Sequence, residues 1–112
     1  MSNDTRDKIR ALNDQMRTNP SGGRGRIMGT ASITNLGSAF FLQAIAAIAK
    51  FDAFDEDNDP HGEHDFAVVD VAGTKVYFKI DYFDLDLRYG SEDPSDAAKT
   101  VRVMTIMLPS EY

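Results

Sequence analysis

Cysteine is missing from the chain altogether, so neither a disulfide framework nor a thiolate metal site can form, a composition that fits a reducing compartment. Long apolar runs are missing too. The most hydrophobic stretch, AFFLQAIAAIAKF at residues 39–51, falls short of the roughly 20 residues a bilayer requires, and no membrane association is expected. The N-terminal MSNDTRDKIR is polar and mixed in charge, unlike a secretory signal, and the expectation is a cytoplasmic bacterial protein. Basic residues are scarce where acidic ones are densest. Residues 52–96 hold fourteen Asp and Glu against three Lys and Arg, a local balance of −11.

What is present is a chain of 112 residues with 42% hydrophobic and 27% charged side chains. Those values imply one globular domain, residues 1–112, with a single modest core. The net charge of −6 conceals an asymmetry: residues 1–51 carry seven bases against three acids, and the last sixteen residues add +1. Part of the basic excess is expected to fold onto the acidic segment. A strongly negative face should remain, repelling nucleic acid and attracting cations or basic protein surfaces.

The apolar spacing of Ile9, Leu12 and Met16 predicts an amphipathic helix over residues 4–17, with Asn3 or Asp4 as cap and Asp7 at the positive end of the dipole. NPSGG at residues 19–23 breaks the chain. RGRIMGTASIT reads as an edge strand, and residues 38–51 as a helix buried on more than one side. FAVVDV and KVYFKI follow as two strands around a short AGT turn in which Gly73 is free to take positive φ. A bulge or turn is expected at Tyr82 and Phe83, where the alternation slips phase. Asp93, Pro94 and Asp96 suit one helical turn. TVRVMTIML, apolar on both faces in its second half, is expected at the centre of the sheet. The predicted fold is α+β: two helices on a mostly antiparallel sheet of about four strands, in the order α-β-α-β-β-β.

DNDPHGEHDF, residues 57–66, concentrates acids and histidines around a proline and a glycine. An EF-hand register starting at Asp55 puts Pro60 where glycine is required and Phe66 where glutamate is; starting at Asp57 puts His61 at position five and Val68 at position twelve. Neither closes. His61, Glu63 and His64 approach a zincin pattern one residue short, in a loop whose Pro60 and Gly62 oppose a helix. The deaminase pattern needs cysteines that are absent. Asp65, Asp81 and Asp84 could gather magnesium, yet no companion lysine has a nuclease-like spacing beyond Lys79. The arginines Arg6, Arg10, Arg17, Arg24 and Arg26 are too few at pI 4.7 to make a nucleic-acid footprint and are expected to pair internally. SGGRGR lacks the phosphate-loop spacing.

IRALND, FDAFDEDNDPHGEHDF, FKIDYFDLDLRYGSEDPSD and TVRVMTIMLPSEY together resemble a family of short proteobacterial proteins, the domain of unknown function 3768, over residues 9–112. The resemblance implies a small stand-alone bacterial protein and no activity; by loose analogy such families travel on plasmids and prophages. The expectation is a non-enzymatic interaction protein, in its sharper form an anti-CRISPR-like or other anti-defence inhibitor. Its carboxylates would stand in for phosphates on the basic surface of a bacterial protein or nucleoprotein complex. The candidate partner-binding residues are Asp55, Glu56, Asp57, Asp59, His61, Glu63, Asp84, Asp86, Glu92 and Asp93. No cofactor and no direct nucleic-acid contact are expected, and homo-oligomerisation is left open. The alternative is a divalent-metal-binding module or metal-dependent hydrolase centred on His61, Glu63, His64, Asp65 and Asp81.

Overall fold

Ile9, Leu12 and Met16 wind into helix α1 (Asp4–Thr18) in the computed structural model, which describes residues 4–19 and 25–112. Asp4 and Asp7 occupy its first turn and Arg17 its last, the arrangement the helix dipole favours. The expected cap at Asn3, the break over residues 20–23 and Arg24 lie outside the described residues. Polar side chains share the inward stripe: Asn13 and Arg17 are buried with Ile9 and Met16.

The glycine-rich segment is corrected. It forms a short strand β1 (Arg26–Gly29), then one helical turn α2 (Ala31–Thr34), rather than one extended run. Thr30 still donates its N–H to the carbonyl of Ile106, after which Thr34 N–H turns back to Thr30 and drives Ile33 fully into the core. Gly29 is required by packing, because a Cβ there would meet the Phe41 ring at 2.8 Å. Helix α3 (Ser38–Lys50) is corrected as well: it fully buries only Ala44 and Ile48, and Leu42 stays 65% exposed. Its second apolar side faces outward, since no further layer lies above it among the described residues.

Strands β2 (Phe66–Val71), β3 (Thr74–Phe83) and β4 (Val101–Met107) complete an α+β fold of three helices and four strands among the described residues. The sheet order is β1-β4-β3-β2. β4 is central, as its two apolar faces predict. The sheet is mixed rather than simply antiparallel, because β1 runs parallel to β4, pairing Arg26 with Val103 and Gly29 with Ile106. The order is therefore α-β-α-α-β-β-β, closed by a 3-10 turn at Pro109–Glu111.

β2 and β3 meet in a hairpin whose turn residues, Ala72 and Gly73, both take positive φ (51° and 86°), the geometry that matches strand twist. Gly73 adopts it freely, whereas Ala72 is held there at a cost of about 1–2 kcal/mol, helped by the Gly73 N–H donating to Asp70. The expected bulge at Tyr82 and Phe83 is absent. Register with β4 continues to Phe83 opposite Val101, and the chain turns only afterwards. The expected helical turn at residues 93–96 is instead two linked turns, Asp96 N–H to Asp93 O and Lys99 N–H to Asp96 O.

Ala67, Val69, Val76, Phe78, Ile80, Met104 and Ile106 point to the helix side and form the core with Ile33 and Ile48. The other sheet face carries no helix among the described residues; Phe66, Tyr77 and Tyr112 cluster at one end of it, with ring centroids 4.9–5.7 Å apart. The antiparallel hairpin brings the start of β2 beside the end of β3, and the starts of β4 and β1 fall at that same end. Loops 52–65 and 84–100, the two acidic segments, are thus brought together at one pole.

Candidate functional site

Loop 52–65 is shaped first by its own side chains. Asp55 accepts the N–H groups of Asp57 and Asn58 at 2.9 and 3.0 Å, and Asn58 accepts that of Asp55 at 2.9 Å. Such Asx contacts are the usual means by which these residues turn a chain. Asp59 then accepts the His64 N–H at 3.1 Å and is 7% exposed. Gly62 and His64 take φ of 70° and 56° to close the turn.

The loop then docks on α1. Arg10 donates to the Gly62 carbonyl, Asn13 donates to the Glu63 carbonyl at 2.9 Å, and His64 Nδ1 lies 2.8 Å from Asp14. Phe54 stacks on the His64 ring, 3.9 Å between centroids at 7°, and packs edge-on against Phe51 and Phe78. Arg17 sits over Phe54 and donates to the carbonyls of Ile48 and Phe51 at 2.7 and 2.6 Å, tying the end of α3 to the same spot.

Behind the loop runs a buried polar chain. Arg102 Nε donates to Asn13 Oδ1 at 2.6 Å; Asn13 Nδ2 donates to the Tyr82 hydroxyl at 2.7 Å; Tyr82 donates to Glu63 at 2.8 Å. Arg102 also donates to the Pro94 carbonyl, so the chain links loop 84–100 to loop 52–65. Burial pushes the Tyr82 phenol well above its ordinary range, with the Glu63 carboxylate adding to it, and so keeps the phenol a donor. Burial lowers Arg102. Burial, with Glu63 beside it, raises Asp65.

Loop 84–100 holds itself. Asp84 accepts the Arg88 N–H, Asp93 accepts both the N–H and the hydroxyl of Ser95, and Ser91 bonds Thr100. The Ser95 donors hold the Asp93 carboxyl below its usual range.

Of the ten candidate residues, Glu56, Asp57, His61, Asp86 and Glu92 are exposed. Asp55 is exposed too, though its carboxylate shapes the turn. Asp84 and Asp93 are partly buried at their turns. Asp59 and Glu63 are turned inward, accepting from the His64 N–H and the Tyr82 hydroxyl. The metal set is dispersed: His61 faces outward, Glu63 meets Tyr82, His64 meets Asp14, and Asp81 pairs with Lys79 at 3.3 Å. Lys79 and Asp81 belong to the uncovered sheet face, opposite in phase to Tyr82. Among the described residues, no three His, Asp or Glu side chains converge as metal ligands.

Among the described residues the arginines form no ion pair with the acidic segment, against expectation; Arg10, Arg17 and Arg102 go chiefly to carbonyl oxygens and to α1. Sequence reasoning missed the buried chain of Asn13, Tyr82 and Arg102. Its signal was there: Asn13 stands at core spacing between Ile9 and Met16, and Arg102 interrupts an apolar strand at the buried phase.

No helix of the described residues is long and apolar enough to cross a membrane. The model of a family described as a protein of unknown function, DUF3768, matches residues 29–111. Comparison with curated proteins and with solved structures gave no match.

Proposed function

Because the chain belongs to the DUF3768 family, whose description carries no activity, we propose its role from the site: an acidic binding protein that presents the carboxylates of one pole to a basic partner. The observation that carries this reading is the state of Glu56, Asp57, Asp86 and Glu92. All four are exposed on the two acidic loops that leave the same end of the sheet, and among the described residues none is ion-paired. Local turn contacts from Asp55, Asn58, Asp84 and Ser91 hold the backbone around them, so little backbone ordering entropy remains to be lost on binding. Fixed carboxylates at a protein surface suit bidentate recognition by arginine and can replace phosphates in a nucleic-acid channel.

In its sharper form the partner is the Lys/Arg-rich channel of a bacterial defence nucleoprotein, and the protein is its inhibitor. Complex formation should fall steeply with salt, since the Debye length is about 8 Å at physiological ionic strength. The test is phage plating on cells with an active CRISPR or restriction system, expressing the wild-type chain or the quadruple variant Glu56→Gln, Asp57→Asn, Asp86→Asn, Glu92→Gln. Protection of phage by the wild type and its loss in the variant support the inhibitor. Equal protection by both would remove the acidic pole from the mechanism, and no protection against any system would remove the anti-defence role.

A further inference from the structure

We propose that the unpaired edge of β2 is a homodimer interface, where a second copy of this chain adds its own β2 antiparallel about a two-fold axis at Val68 and joins two sheets into one. β2 ends the sheet order. Asp65 O accepts the Ile80 N–H, and Phe66 faces Lys79, so the odd-numbered residues of the strand bond inward to β3. The N–H and C=O groups of Phe66, Val68 and Asp70 therefore point outward. No hydrogen bond among the described residues reaches them.

Natural edges are usually blunted by proline, bulges, lysine or extreme shortness. FAVVDV has no proline, no bulge and a single charge, and it runs the full six residues. The opposite edge, β1, has four residues and begins at Arg26. An open edge of this kind is a template for pairing with another strand of matching chemistry.

The strand is its own complement. An axis at Val68 sets Val68 against Val68 and Phe66 against Asp70, and it is the register in which all three outward residues pair. Asp70 does not meet its symmetry mate. It lies instead in line with its own cross-strand neighbour Lys75 and, beyond the other copy's Phe66, with that copy's Lys79. Like charges are separated and opposite charges brought into one row. In the layer above, α3 packs on β2 and carries no charge from Ser38 to Ala49, so adjoining helices meet no electrostatic penalty. A two-fold pairing also closes on itself, whereas a β1-to-β2 contact would propagate into fibres.

The test combines sedimentation with amide exchange read by NMR, on the wild type, Val68→Lys and Val68→Thr. Lysine puts two ammonium groups face to face at the axis; threonine keeps a β-branched side chain there. The wild type and Val68→Thr are expected at twice the chain mass of 12.4 kDa and Val68→Lys at the single mass. The amides of Phe66, Val68 and Asp70 should be protected in the dimer and exchange fast in Val68→Lys, while Ala67, Val69 and Val71 stay protected in all three. If Val68→Lys fails to fold, Asp70→Lys reads the same contact from an exposed position. A wild type that is monomeric at every concentration overturns the proposal. So does a dimer that survives both lysine variants, or one whose Phe66, Val68 and Asp70 amides exchange freely.

Discussion

Loops 52–65 and 84–100 end at the same pole of the sheet and are both rich in Asp and Glu, yet they are held by different means. The first is anchored by residues far away in the chain: Asn13 on the Glu63 carbonyl, Asp14 on His64, and Phe54 in the core against Phe78. The second is tied mostly to itself, through Asp84 to Arg88, Asp93 to Ser95 and Ser91 to Thr100. One loop is a tertiary structure built from acids; the other is a string of capped turns. Acidic composition alone therefore says little about which carboxylates are available. In the first loop Asp59 and Glu63 face inward while Glu56 and Asp57 face out, only a few residues apart.

The two loops share one component, Asn13, and removing it is expected to have the largest effect. Asn13→Ala takes the acceptor from the buried Arg102 guanidinium and the donor from both Glu63 O and Tyr82. Hydrogen bonds to charged groups are worth about 1.5–3 kcal/mol, and the orphaned partners stay buried, so a loss of about 3 kcal/mol is expected in urea unfolding. Amide exchange should quicken in both loops. If only loop 52–65 loosens, the link through Arg102 to Pro94 does not couple them, and the loops are independent units.

The same contrast explains what could be read beforehand. Contacts within a few residues were legible: Gly73 at the hairpin turn, Asp93 as the acceptor at its turn, the turn residues of DNDPHG, the central place of TVRVMTIML. Contacts between distant segments were not. Nothing local announces that Asn13 lies 2.6 Å from the Arg102 side chain, or that β1 pairs parallel with a strand at the far end of the chain. Ile33 was read as part of a strand because RGRIMGTASIT is extended in character; burial in the core decided otherwise. For α3, apolar content was mistaken for burial, although exposed apolar surface is common in folded proteins.

Acid titration should separate the loops by sign. Asp65, in the first, is raised in the fold by burial and Glu63. The folded state then binds that proton more tightly than the unfolded one, so Asp65 lowers stability at neutral pH, and the penalty fades as pH falls through its folded pKa. Asp65→Asn should stabilise at pH 7 by less than about 1 kcal/mol, given its partial exposure, and lose the advantage in acid. Asp93, in the second, is lowered by Ser95. Its contribution is present above the unfolded carboxylate pKa and lost as pH falls through the folded one, so Asp93→Asn should destabilise at pH 7 and match the wild type in strong acid. Melting temperatures across pH for the two variants check both signs, and the same sign for the two would erase the distinction between the loops.

The smallest effect on stability is expected where the proposed effect on binding is largest. Glu56 and Asp57 lie between the Asp55 and Asn58 turn contacts, and their carboxylates are exposed and unpaired among the described residues. Removing their charge leaves the backbone bonds of the turn in place, because those use the Asp55 and Asn58 side chains and the Asp57 N–H. Glu56→Gln with Asp57→Asn should therefore change unfolding free energy by no more than about 0.5 kcal/mol, the usual range for surface substitutions. It should also relieve mutual repulsion in a crowded acidic loop, so the sign of any change is towards stability. Urea midpoints measured at low and at high salt read both points: the variant should equal or slightly exceed the wild type at low salt, and the two should converge as salt screens the loop. A variant clearly less stable than the wild type would mean that these two charges belong, like Asp59 and Glu63, to the inward side of the loop.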